Sequence, residues 1–111
     1  MEINKKIQEL QPEIVSSVQD LIRIKSVEEE ALPGMPYGKG VASALEKALE
    51  ISGNLGFNTV NLHGYIGYAE YGEGEDYIAV LGHLDVVPEG NDWIYPPYGA
   101  EIHDGKMFGR G

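Results

Sequence analysis

The stretch that decides the fold runs from Tyr77-Ile78-Ala79-Val80-Leu81-Gly82 directly into His83-Leu84-Asp85-Val86-Val87-Pro88. Its first half is continuously apolar, without the alternation of a half-exposed strand. A strand buried on both faces, at the centre of an α/β sheet, reads this way. The second half changes character at once, placing an imidazole and a carboxylate two positions apart. On an extended backbone such residues point to the same side. In open α/β sheets, ligands gather outside the carboxyl ends of the strands, so His83 and Asp85 are expected to face one cleft.

Upstream of this run the pattern is helical. Ile3, Ile7, Leu10, Ile14, Val18 and Leu21 follow steps of three and four, an amphipathic stripe. Pro12 interrupts it, so the main helix is expected over 13–23, after a shorter or kinked helix. Residues 26–36 read as a connection whose turns are set by Pro33, Gly34 and Pro36. A second helix is predicted over 41–52, with Gly53 and Asn54 as stops. Strands over 57–62 and 65–71 form a hairpin around His63-Gly64, and Asp104-Gly105 signals another between Ile102 and Met107. The resulting expectation is α/β, with a mixed β-sheet covered by helices. No crossover helix is legible after residue 54, so the chain is expected to be the front end of a larger domain.

Composition narrows the function. The 111 residues are 42% hydrophobic and 23% charged, the balance of a folded chain, with scaling predicting a folded surface of roughly 6,000 Å² and a small core. Eight basic against eighteen acidic residues give a net charge of −10, a poor match for nucleic acid or an anionic membrane. Residues 51–111 alone hold two basic and nine acidic residues, which favours metal cations or cationic groups, or simply a solvated acidic surface. No run is long enough to span a bilayer, and the amphipathic start lacks the apolar core of a signal peptide; both favour the cytoplasm. With no Cys, disulfides and thiolate chemistry are excluded, and any metal must be held by His, Asp or Glu.

Neutral imidazole is a good zinc ligand, and a nearby carboxylate can fix its tautomer and orientation. His83 and Asp85 fit that arrangement, but from spacing alone a strand-end histidine beside a capping Asp is the stronger reading. Further ligands could come from His63, His103, Glu89 or Asp92, and no spacing favours one of them. Trp93, Tyr95, Pro96, Pro97 and Tyr98 form an aromatic–proline loop that either walls a cleft or packs over a sheet end, with packing the stronger reading. The Gly-Lys-Gly at 38–40 is not a phosphate loop, and no dinucleotide fingerprint occurs. Glu73, Glu75 and Asp76 lack calcium-loop spacing, and Ser43 lacks the context of a hydrolase nucleophile.

The order GHLDVVPEG at 82–90, then Trp93, Pro97, Asp104-Gly105 and Gly109-Arg110-Gly111, resembles the co-catalytic zinc metallopeptidases. That family includes aminoacylase, succinyl-diaminopimelate desuccinylase and bacterial broad-specificity dipeptidases. LIRIKSV at 21–27 and LPGMPYGKGVASALEKALEISGNLGF at 32–57 extend the likeness and look most like the Xaa-His dipeptidase branch. The resemblance implies that residues 1–111 are the N-terminal part of a zinc-peptidase catalytic domain, without its remainder or its lid and dimerisation domain. It implies His83 as a zinc ligand and Asp85 as the catalytic-site carboxylate that orients it. Two zinc ions, replaceable by Co²⁺ or Mn²⁺, would serve a complete site. The bridging Asp, the general-base Glu and the other ligands of the family have no counterpart in these residues. The implied activity is hydrolysis of dipeptides or short peptides by the full-length parent, with this chain alone inactive. Two other readings stand beside it: a noncatalytic orphan or interaction fragment, and an amidohydrolase or deacylase with the same metal chemistry.

Overall fold

The computed structural model describes residues 2–111. Two helices, α1 (Ile3–Ile22) and α2 (Lys39–Asn54), precede the hairpin strands β1 (Asn58–Leu62) and β2 (Ile66–Glu70). A second hairpin, β3 (Glu101–His103) and β4 (Lys106–Phe108), closes the order. Both hairpins are antiparallel, and a parallel bridge between Val27 and Val86 makes the pairing mixed. Helix α2 packs on β1 and β2, and α1 packs on α2, so the fold is α/β with helices against a small sheet.

Helix α1 runs unbroken through Pro12, ten residues earlier than the predicted main helix. Pro12 is exposed, so water reaches the backbone carbonyl that its missing N–H leaves free. Helix α2 continues through Gly53 and ends at Asn54, closed by Leu55 and by Gly56, whose φ is +97°. Phe57 N–H donates to Ser52 O and Gly56 N–H to Gly53 O, the paired bonds of a Schellman ending.

The β1–β2 connection has three residues, 63–65, one more than predicted, with His63 and Gly64 both at positive φ. Gly64 is required there on a second count. A Cβ would lie 2.6 Å from Gly34 O, where the hairpin tip meets the 32–36 turn. In the second hairpin, Asp104 and Gly105 have φ of +52° and +73° between His103 and Lys106, the two-residue turn that the sequence predicts.

The expected central strand over 77–82 is not formed. Those residues pair with no strand among the described residues, and Ile78, Val80 and Leu81 are 96%, 96% and 89% exposed. A strand is stable only where a neighbour takes its backbone hydrogen bonds and a layer covers its side chains. The β1–β2 hairpin supplies neither to this run. The predicted small core is correspondingly open: among the described residues only Ser26, Gly38, Ala44 and Ala100 are buried, and the accessible surface is 8787 Å². The chain is a slab with principal extents of 47 × 41 × 19 Å. Its radius of gyration of 15.9 Å exceeds the roughly 13 Å of a closed domain this long. No helix of the described residues is long and apolar enough to cross a membrane.

Candidate active site

His83 and Asp85 meet as the sequence predicts, although no strand delivers them. His83 Nδ1 lies 3.0 Å from the backbone O of Asp85 and 3.3 Å from its Oδ1. A proton on Nδ1 shared with these oxygens leaves the Nε2 lone pair free to face outward. The strip is held from behind by the connection after α1. Ser26 Oγ donates to Leu84 O at 2.8 Å, and Val86 N donates to Ser26 O at 3.0 Å. Ser26, 3% exposed, is the one buried polar side chain among the described residues.

Both residues line one cleft of about 370 Å³, which also touches Glu28, Tyr37, Val41, Leu45 and the β1–β2 hairpin at 64–67. The expected common cleft therefore exists, formed between α2, the hairpin and the His83–Asp85 strip rather than beyond a sheet.

The other candidate ligands stay apart. His63 occupies the hairpin tip. His103 Nε2 is 3.0 Å from Glu101 Oε1, and its ring stacks on Tyr95 with centroids 3.7 Å apart. Asp92 adopts a φ of +65° in the following loop. Glu89 has a structural task that spacing does not reveal. Its Oε2 accepts the Tyr98 hydroxyl at 3.0 Å, and Oε1 lies 3.5 Å from Lys25 Nζ. Its backbone O accepts Trp93 Nε1 at 2.6 Å and Arg110 Nη2 at 3.1 Å. The Arg110 guanidinium also lies 5.5 Å from the Trp93 ring centroid, while its Nε is buried without a hydrogen-bond partner. Within the aromatic–proline loop, Trp93 and Tyr98 pack around Glu89 and Tyr95 packs on His103 and Phe108, and none of its residues lines the cleft. Glu89's own backbone amide, then the Tyr98 hydroxyl, hold its carboxyl below the usual 4.5. Burial, and next the Glu89 carboxylate, push the Tyr98 hydroxyl above 10.0.

The donor chemistry of the pair fits one metal-ligand position. A His whose Nδ1 is occupied by a carboxylate and a carbonyl presents Nε2 as a basic, oriented donor. No group of three His, Asp or Glu that could hold a metal occurs among the described residues.

Residues 79–111, the strip and everything after it, match the family described as Peptidase family M20/M25/M40. The chain is 45% identical over 101 residues to "Putative dipeptidase YtjP" of Bacillus subtilis (strain 168), an alignment covering 89% of the chain and 22% of the relative. It is 38% identical over 101 residues to the Beta-Ala-Xaa dipeptidase of Lactobacillus delbrueckii subsp. lactis, covering 88% of the chain and 22% of that protein. The chain is similar to the M20/M25/M40 peptidases over residues 79–111 and to these two dipeptidases along most of its own length. It spans about a fifth of the length of the curated relatives it matches. Alignments covering 88–89% of the chain take in the α1–α2 connection and the β1–β2 hairpin as well as His83 and Asp85.

Proposed function

We propose that the chain is the N-terminal part of a metal-dependent dipeptidase that acts in the cytoplasm on dipeptides or short peptides. The observation that carries this reading is the clasp of His83 Nδ1 by Asp85 at the edge of a cleft large enough for a small peptide. The dipeptidase names of the relatives support the substrate class.

In this reading His83 would hold a zinc ion, with Nε2 as its donor atom. Asp85 keeps the imidazole in one tautomer, fixes its rotation and raises its basicity. Zinc, or Co²⁺ or Mn²⁺ in its place, supplies Lewis-acid polarisation of a peptide carbonyl and lowers the pKa of a bound water. Ser26 acts one step further back, fixing the backbone at Leu84 between the two residues. In this reading a second metal ion, the remaining ligands and the general base would be supplied by other parts of the full-length protein.

The test is leucylglycine hydrolysis by the full-length protein with added zinc. Turnover that disappears on chelation and in His83→Ala is the expected result. Turnover unaffected by both, or a wild-type protein inactive on every dipeptide tried, overturns it.

A further inference from the structure

Asp85 stands between two peptide groups, and Ser26 binds both of them. The Ser26 hydroxyl donates to Leu84 O at 2.8 Å, on the peptide before Asp85. The Ser26 backbone O accepts Val86 N at 3.0 Å, on the peptide after it. That second peptide also carries the Asp85 carbonyl, whose O lies 3.0 Å from His83 Nδ1. A trans peptide is planar with its N–H and C=O opposed, so holding the Val86 N–H aims the Asp85 O. One residue therefore sets both peptide planes around Asp85, and through one of them the carbonyl that meets the imidazole.

Ser26 is itself backed by the start of α2. A Cβ at Gly40 would overlap Lys25 O, and one at Gly38 would lie 2.8 Å from Glu29 Cβ, so the helix leaves the 25–29 backbone no room to retreat. Glu29 N donates to Tyr37 O at 2.9 Å, closing the connection on itself, and Val27 bridges Val86 in parallel. Ser26 is 3% exposed, so water does not compete for its hydroxyl. Residues 77–82 pair with no strand among the described residues, so no sheet imposes the alignment from upstream.

We infer that Ser26 is a positioning residue for the metal-binding imidazole: it sets the rotation of His83 through the Asp85 peptide. The inference rests on the reading of His83 as a metal ligand and goes beyond it. The imidazole is oriented by a backbone carbonyl as well as by the Asp85 carboxylate, and the aim of both depends on Ser26. Without the hydroxyl, the peptide before Asp85 is free to turn, and carboxylate and carbonyl lose their common aim.

The experiment measures zinc binding to the metal-free, full-length protein by calorimetric titration. Wild type is compared with Ser26→Ala and with Ser26→Ala combined with Gly53→Ala. Gly53 lies inside α2, where an added methyl meets nothing within 4 Å, so alanine there offsets lost stability without touching the strip. Ser26→Ala is expected to weaken zinc binding about ten-fold, as loss of a group that orients a ligand does. The double variant is expected to stay as weak although its thermal midpoint recovers. Unchanged affinity in Ser26→Ala, or affinity that returns with the midpoint, overturns the positioning role and leaves His83 as a ligand. A wild-type protein that binds no zinc overturns the metal reading and this inference together.

Discussion

Ser26 Oγ donates to the backbone O of Leu84 at 2.8 Å, joining residues 58 positions apart and tying the α1–α2 connection to the strip that bears His83 and Asp85. The hydroxyl is buried, so its bond is not exchanged for one to water.

Ser26→Ala is therefore expected to leave the Leu84 carbonyl short of a partner and to cost about 1–2 kcal/mol of stability. Urea unfolding of the 111-residue chain checks this through a lowered midpoint with an unchanged slope. An unaltered midpoint would mean that the contact is not maintained in solution.

Asp85→Asn keeps the size of the side chain and the backbone O that partners His83 Nδ1, but removes the carboxylate charge 3.3 Å from that nitrogen. Zinc affinity of the full-length protein, followed by calorimetric titration, is expected to fall by about 10–100-fold. Equal affinity in the two proteins would leave Asp85 without its orienting role.

The 111-residue chain by itself is expected to show no dipeptide turnover with added zinc, because it presents one ligand position and no three-donor cluster among the described residues. Steady hydrolysis of leucylglycine by the purified chain, lost in His83→Ala, would contradict this.

Three glycine-to-alanine changes should separate by what the new methyl meets. At Gly40 it would overlap the backbone O of Lys25, which cannot swing aside. At Gly67 it would lie 2.8 Å from Leu45 Cδ1 and 3.1 Å from both Leu49 methyls, which can turn away. At Gly53, inside α2, it meets nothing within 4 Å. Thermal unfolding should rank Gly40→Ala as the most destabilising and Gly67→Ala as milder, while Gly53→Ala stabilises by about 0.5–1 kcal/mol through helix propensity.

Glu89 links stability to pH. Its carboxyl is held below 4.5 in the folded chain, so the folded state favours the ionised form. The resulting stability is present above 4.5 and is lost as pH falls through the depressed folded value. Tyr98 acts at the other end: its raised value favours the protonated hydroxyl, a contribution present below 10.0 and lost as pH rises through the folded value. Glu89→Gln should flatten the acid side of the stability profile measured by urea titration. A profile identical to wild type below pH 4.5 would show that the carboxylate's contacts do not favour its ionised form.

The elements whose hydrogen bonds close within a few residues were legible in the amino-acid sequence. The three-and-four spacing marked both helices, positive-φ positions marked both hairpin turns, and a two-residue offset brought His83 and Asp85 together. Pro12 and Gly53 misled the helix boundaries, because an exposed proline can be solvated within a helix and a glycine can continue one. Residues 77–82 carry the composition of a buried strand, yet composition supplies neither a pairing neighbour nor a covering layer, and here they stand exposed. What joins distant parts of the chain was decided by the tertiary structure alone. Ser26 behind Leu84 and Glu28 in the cleft beside His83 depend on the 26–37 connection meeting the 82–85 strip, and Glu89 gathers Lys25 and Arg110 just beyond it. Local spacing has no term for such contacts, since their partners lie tens of residues apart and meet only when helix and sheet faces are packed.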